Sequence, residues 1–260
     1  MNVLSVDEAI AEIRAGRPLV VVDDPHRENE GDVIFAAACV TAANINFMVT
    51  HARGLVCAPM MAARLAELDL PLMVEHNTTP TGTAFTVPVD AREGTTTGIA
   101  AFERANTIRV LIDPATRPDD LLRPGHIFPL KAADGGVLVR PGHTEAAVDL
   151  ARLAGHVPAG VVCEILADDG RMARGPELAA FARTHGLGVL AIADLIRWRE
   201  AHDADGLIGA LATSTSTSAS TGGRPGLTLL GSSRSNAALS STTQVTSTSG
   251  VGTAAAAVTA

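Results

Sequence analysis

The chain has no cluster of basic residues, no paired cysteines and no long apolar run, and each absence closes off a class of protein. Its 28 Asp and Glu outnumber its 20 Lys and Arg, for a formal net charge of −8. A nucleic-acid surface wants clustered Lys and Arg, so nucleic acid is not an expected partner. The 3 cysteines, Cys39, Cys57 and Cys163, are odd in number and far apart, with no CxxC spacing. They suit neither a disulfide framework nor a zinc site, and fit a reducing compartment. The start of the chain lacks the charged-then-apolar pattern of a signal peptide, and no apolar stretch approaches spanning length. These features predict a cytoplasmic protein without a membrane partner.

The last fifth of the chain is also poor in large apolar side chains, with one short cluster at Leu227-Thr228-Leu229-Leu230. From about Ala212 it turns Ser/Thr/Gly/Ala-rich (TSTSTSASTGG, SSTTQVTSTSG, TAAAAVTA), and its charges are Arg224 and Arg234. The net charge of −10 therefore sits in the body. Such a tail cannot bury enough surface to offset ordering entropy. The expected organisation is one domain over 1–206 and a low-complexity, disordered tail over 207–260. The body is long enough for a sizeable core.

Within the body, Ser5-Val6-Asp7-Glu8 is a capping box, and Val6, Ala9, Ile10 and Ile13 mark an amphipathic helix ending near Gly16. Strands are predicted at 19–22 and 33–37, with Asp23 and Asp24 at the exit of the first. Thr41 caps a helix that stops at Gly54, a short buried strand covers 55–57, and a short helix covers 62–68. Residues 84–90 alternate like a strand, with Pro88 suggesting a sheet edge. A helix over 99–110 follows a Thr cluster. Segments 127–131 and 137–139 read as paired strands around Asp134-Gly135-Gly136. Helix 144–153, strand 161–166, helix 176–185 with Pro at its start and Gly186 past its end, strand 189–192 and a helix bearing Trp198 complete the order. Strands and helices mix without strict alternation, so the predicted class is α+β: a sandwich-like single domain, its mixed sheet flanked by helices.

Chemistry concentrates first at Arg27-Glu28-Asn29-Glu30-Gly31-Asp32, a turn between β-branched runs. Carboxylates this crowded repel unless a proton or cation relieves them. A hard divalent metal would do so, and the adjacent Arg could hold a phosphate or carboxylate. Charge pattern alone favours a solvated acidic turn. The tetrapeptide Arg-Pro-Gly-His occurs twice, at 123–126 and 140–143, each time placing a turn former before a His at an element boundary. After the second copy comes Thr144-Glu145, a helix start. Free N–H groups there, the Thr144 hydroxyl and Arg140 would cradle a phosphate. Thr95-Thr96-Thr97-Gly98 offers further donors, or simply an N-cap. Glu164 sits in an otherwise apolar strand. Facing the core its pKa would rise toward a range useful for proton transfer; facing solvent, alternation explains it. Cys57, between Val56 and Ala58, reads by default as a small buried hydrophobe.

These residues carry a resemblance. VVDDPHRENEGDVIFAA, GLVC, GTAFTV, TTTG, RPGHIFPL, RPGHTEAAVDLARLAG, VVCEI and VLAIADLI occur in the order seen in 3,4-dihydroxy-2-butanone 4-phosphate synthases, which the chain resembles from about residue 1 to 198. The resemblance implies a lyase of riboflavin biosynthesis that converts ribulose 5-phosphate to 3,4-dihydroxy-2-butanone 4-phosphate and formate with Mg²⁺. It implies Glu28 and His143 as metal ligands. It implies Arg27, Glu28, Asp32, Cys57, Thr95, Thr97, Arg140, Pro141, Gly142, His143, Thr144 and Glu164 as substrate contacts. His126 and Glu164 would be the proton-transfer pair, their steps undivided by the sequence, and the protein a homodimer with sites near the subunit interface. An imidazole ligand is softer than Mg²⁺ usually takes, so Mn²⁺ is a second expected cofactor. Many relatives continue into a GTP cyclohydrolase II domain. Nothing after Gly206 has the clustered Cys of its zinc site, so that activity is not expected here. Segment 75–82 departs from the family pattern, which bears on loop closure rather than on reaction type. A metal-assisted sugar-phosphate isomerase and a catalytically silent assembly domain are the competing readings. Formate production separates the first, and retention of the motif residues argues against the second.

Overall fold

The computed structural model describes residues 2–203, so the expected tail at 207–260 lies outside the described residues. The elements run α1 (Val6–Arg14), β1 (Leu19–Val22), β2 (Gly31–Ala36), α2 (Ala42–Phe47), β3 (Cys57–Met60), α3 (Ala62–Glu67), β4 (Val89–Ala91), α4 (Ala101–Ile112), β5 (Leu121–Lys131), α5 (His143–Leu153), β6 (Gly160–Glu164), α6 (Gly175–His185), β7 (Gly188–Ala191) and α7 (Ile192–Asp203). The seven strands form one sheet in the order β4-β5-β3-β6-β2-β1-β7. It is mixed: β1 pairs antiparallel with β2 and parallel with β7, while β3 is parallel to β5 and antiparallel to β6. The α+β reading with a mixed sheet between helices holds.

Strand alternation assigns each face. Val20, Val33, Phe35, Val161, Cys163 and Val189 join one core with Ile45 of α2, Ala105, Ile108 and Leu111 of α4, and Leu178 and Ala182 of α6. Their sequence neighbours Leu19, Val21, Ile34, Val162 and Leu190 join a second core with Ile10 and Ile13 of α1, Ala147 and Leu150 of α5, and Leu195 of α7. A strand covered on both sides has no polar face, which is why β1, β2 and β6 read as continuous apolar runs. The parity also places polar residues. Asp32 lies two residues before Ile34 and Glu164 two after Val162, so both carboxylates stand on the α5 face, at the strand ends where β2 and β6 pair Asp32 with Glu164.

Three expectations are corrected. Residues 137–139 are not a strand: Gly136–Leu138 is a 3-10 turn. Both edges of β5 are already taken by β3 and β4, and Gly135 and Gly136, at φ of 98° and 66°, turn the chain away toward α5. The Val137 N–H there meets Asp149 Oδ2 at 3.0 Å. The strand expected over 84–90 is regular only at its end, in β4, which is indeed a sheet edge. The strand expected over 55–57 begins where that stretch ends, because the Leu55 N–H is spent on Glu164 Oε2 at 2.8 Å rather than on a ladder.

The two Arg-Pro-Gly-His copies part company. The first lies inside β5, where Leu122 opposes Asp90 and Ile127 opposes the adjacent Val89, so residues 123–126 bulge out of register. Only glycine fits at 125, since a Cβ there would overlap the backbone of Val89 and Asp90. The second copy leads into α5, with Gly142 as N-cap residue.

Candidate active site

The turn after β1 is organised by Asp23, whose carboxylate is buried. Its Oδ2 accepts from Glu28 N–H at 3.0 Å and from the Arg27 guanidinium at 2.9 Å, and its Oδ1 accepts from Glu30 N–H at 2.8 Å. This lattice fixes Glu28 over the start of α5, with Glu28 Oε2 at 2.6 Å from Arg27 and 3.9 Å from His143 Nδ1. His143 is anchored from its other nitrogen, Nε2, at 3.2 Å from the Val21 carbonyl.

Between this turn, the N-terminus of α5 and the ends of β2, β3 and β6 lies a cavity of about 140 Å³. Its walls include Arg27, Glu28, Glu30, Asp32, Cys57, Arg140, His143, Thr144 and Glu164, and on the outer side Thr83, Phe85, Leu130 and Val162. Gly142 is not part of the wall but is packed behind it: a Cβ there would meet guanidinium nitrogens of both Arg140 and Arg27, and Glu145 Oε2. Pro141 stays outside the wall and is exposed. Arg140 is held rigidly, by Glu145 Oε2 at 2.7 Å, the Thr81 carbonyl at 3.1 Å and Thr83 Oγ1 at 3.1 Å.

Charge is unbalanced in this space. Four carboxylates line it, while Arg27 and Arg140 are already paired with Asp23 and Glu145. The His143 imidazole beside it, then Arg27, hold the Glu28 carboxyl down at about 2 despite its burial. Burial pushes Asp32 up to about 7, with Glu164, Glu30 and Glu28 adding to the rise and His143 opposing it. Burial alone would lower His143, but the carboxylates of Asp32, Glu28 and Asp23 outweigh it and bring the imidazole to about 9. The Cys57 thiol is raised well above its usual range by burial, then by Glu164 and Asp32, and stands as a neutral wall atom.

The donor set suits a divalent cation. Ligand atoms of Asp23, Glu28 and His143 lie within 4.8 Å of one another, and Asp32 Oδ1 is buried without a hydrogen-bond partner. Sequence reasoning named Glu28 and His143 but gave Asp23 no role. Its signal was available, an Asp at a strand exit seven residues before Glu30, yet only the folded turn shows it accepting from three donors.

The structure does not bring every expected residue here. His126 is outside the cavity wall; its ring Nδ1 lies 2.8 Å from Asp90 Oδ2, and its N–H donates to Asp90 Oδ1 at 2.9 Å. Thr95 donates its hydroxyl to the Ala91 carbonyl at the end of β4, and Thr97 faces Glu103 Oε2 in the first turn of α4 at 3.4 Å. The Thr run is not the N-cap of α4, which is Ala100; Thr96 and Thr97 instead donate to the Glu103 carboxylate in the first turn of that helix.

The sequence and the fold match a known family. The family profile described as 3,4-dihydroxy-2-butanone 4-phosphate synthase covers residues 7–198. The chain belongs to this family. The synthase of Agrobacterium fabrum is 54% identical over 198 residues, covering 76% of this chain and 93% of that protein. Riboflavin biosynthesis protein RibBA of Synechocystis sp. is 60% identical over 201 residues, covering 76% of this chain but 36% of its own length. The chain spans between about a third and a half of the RibBA relatives it matches. A solved 3,4-dihydroxy-2-butanone 4-phosphate synthase in complex with two magnesium ions superposes with a TM-score of 0.74 at 48% identity, covering 77% of this chain and 98% of that one. Among the described residues, no helix of this synthase-family chain is long and apolar enough to cross a membrane.

Proposed function

We propose that this chain converts D-ribulose 5-phosphate to L-3,4-dihydroxy-2-butanone 4-phosphate and formate, as a lyase of riboflavin biosynthesis in the cytoplasm. The observation that carries the reading is the convergence of Glu28, Asp32, His143 and Glu164 with two guanidiniums on one small cavity at a helix N-terminus. A sugar phosphate needs both halves of that arrangement. Its phosphate would sit at the start of α5 beside Gly142, against Arg27, Arg140, the first N–H groups of α5 and the Thr144 hydroxyl. Its ketose end would then reach the carboxylate end of the cavity.

Glu28 and His143 would hold Mg²⁺, with Mn²⁺ able to replace it; Asp23 keeps Glu28 in place and the Val21 carbonyl keeps His143. The bound ion would polarise adjacent substrate oxygens as proton loss beside the ketone develops negative charge. Glu164 stands at the end of β6 with Oε2 fixed by Leu55 N–H, oriented to take or return a proton at the reacting carbons. Asp32, with a carboxyl raised to about 7, is able to carry a proton near neutrality. Cys57, Val162 and Phe85 keep bulk water from the reacting atoms.

His126 enters through a second copy of the chain. Its ring is exposed on the sheet edge beside Gly98, and the neighbouring Ile99, Phe102 and Leu122 are 52%, 57% and 37% exposed. Apolar side chains grouped around a polar group with a catalytic repertoire fit a symmetric interface that carries His126 toward a partner's cavity. The family's homodimer is proposed on that basis. No part of the reading calls for a GTP cyclohydrolase II activity in these residues.

Incubation of the purified chain with ribulose 5-phosphate and Mg²⁺, with formate measured, tests the reading. Formate release that stops in chelator and returns with Mg²⁺ or Mn²⁺ is expected. A simple isomer of the substrate without formate, or full turnover in excess chelator, overturns it.

A further inference from the structure

A larger cavity, about 490 Å³, opens on the opposite face of the sheet, next to α6. Two imidazoles, His51 and His185, face each other on its wall with ring centres 4.6 Å apart. The ring nitrogens of His126, His143, His156 and His202 are engaged by a carboxylate or carbonyls. His51 and His185 instead meet mainly aromatic rings. Phe47 lies 5.1 Å from His51 and 5.0 Å from His185, and Phe181 lies 4.6 Å from His185. These rings fix the orientation of both imidazoles before any ligand arrives.

Two helices end at this point. α2 runs on through a π-helical turn, Met48–Ala52, which closes where Arg53 takes a left-handed φ of 71°. α6 ends at His185, where Gly186 turns left-handed at 65°. The carbonyl ends of both therefore converge on the histidine pair, and their partial negative charge favours a cation there. A π-turn is itself a costly irregularity, and here its effect is to bring His51 to the cavity.

The geometry points to a second cation site, formed by His51 and His185, that takes a borderline divalent transition ion such as Zn²⁺ and not Mg²⁺. Imidazole selects zinc, copper and nickel, whereas Mg²⁺ wants oxygen. An ion bound tetrahedrally by two imidazole nitrogens at about 2.0–2.1 Å leaves the ring centres roughly 5.2 Å apart. The pair, at 4.6 Å, reaches that spacing with a small opening of the two rings. Burial, then the neighbouring His51, lowers the pKa of His185, so its ring is neutral and able to ligate at neutral pH. Glu177 is committed to the Arg174 N–H at 2.9 Å, and Arg53 to Asp168 at 2.9 Å, so water would complete the coordination shell. Bound there, the ion would staple the end of α2 to the end of α6.

Equilibrium dialysis of the full chain against Zn²⁺ tests this, with metal counted per chain. The cluster of Asp23, Glu28 and His143 could also take up Zn²⁺, so the comparison is between variants. His51→Gln and His185→Gln should each bind one ion fewer than the unaltered chain, whereas Glu28→Gln should still bind at the histidine pair. Zn²⁺ should raise the melting temperature of Glu28→Gln and raise it less when His51→Gln is added. His51 is exposed, so His51→Gln decides the matter should His185→Gln fail to fold. Equal Zn²⁺ uptake by the unaltered chain and His51→Gln overturns the proposal and leaves the four rings as packing alone.

Discussion

At the scale of the residue, Gly142 and Glu164 carry the sharpest consequences. Gly142 has φ −113° and ψ 163°, which any residue adopts, so its requirement is for space and not for backbone freedom. Gly142→Ala should fold normally, yet its methyl displaces the guanidiniums of Arg27 and Arg140 from the phosphate position. Charge-assisted contacts of this kind are worth about 1.5–3 kcal/mol, so KM for ribulose 5-phosphate should rise by roughly ten- to a hundredfold. Steady-state kinetics with an unchanged KM would remove phosphate from this position. Glu164→Gln keeps an oxygen for the Leu55 N–H and loses the ionisable proton. It should melt like the unaltered protein while kcat falls by about a hundred- to ten-thousandfold. An active variant contradicts the proton-transfer role, and an unfolded one makes Glu164 structural.

At the scale of the element, helix ends are where short sequence signals become geometry. The box at the start of α1 closes in both directions, with Glu8 N–H on Ser5 Oγ at 3.3 Å and Ser5 N–H on Glu8 Oε2 at 2.8 Å. The N-terminus of α4 uses a longer device, in which buried Glu103 accepts from the backbone and hydroxyl of Thr96, from Thr97 and from Ala100 N–H. The Thr96 hydroxyl, then its N–H, hold this carboxyl down at about 2. A depressed folded pKa gives stability that is complete above the unfolded value and is lost as pH falls through the folded one. Urea unfolding of the unaltered chain and Glu103→Gln should therefore differ most above about pH 5 and converge as pH approaches 2. A gap that does not narrow would place the Glu103 contribution elsewhere.

At the scale of the whole molecule, the separation of His126 from the cavity makes assembly part of the chemistry. His126→Ala and Glu164→Gln, each inactive alone, should regain roughly a quarter of full turnover when mixed and allowed to exchange subunits, since half the dimers then hold one intact site. Sedimentation should show a dimer at micromolar concentration. No regain of activity, or monomer alone, would confine the site to one chain. The composition of 207–260 gives a further expectation. A chain ending at Gly206 should keep its melting temperature, metal dependence and turnover. A severalfold loss of activity on truncation would move the domain boundary beyond 206.

Local chemistry decided what could be read along the sequence. The apolar runs of β1, β2 and β6, the box at Ser5, the Pro and Gly at the ends of α6, and the polar start of α5 each depend on neighbours a few residues away. The cluster of Arg27, Glu28, Asp32, His143, Thr144 and Glu164 was legible through the family resemblance of its short motifs, since charge pattern alone favoured a solvated turn. What depended on strand register was not. Segment 137–139 lost its expected pairing because β3 and β4 already flank β5. The two Arg-Pro-Gly-His copies look equivalent in sequence, yet the bulge opposite Val89 and Asp90 sends one His to a carboxylate on the sheet edge, while a helix start sends the other to the cavity. Likewise the facing of Asp32 and Glu164 toward α5 follows from alternation within a sheet covered on both sides, and the meeting of His51 with His185 across 134 residues of chain follows from the packing of the end of α2 against the end of α6. Composition and short-range pattern set which groups this chain has for chemistry; only long-range pairing, which no local signal encodes, decided which of them meet.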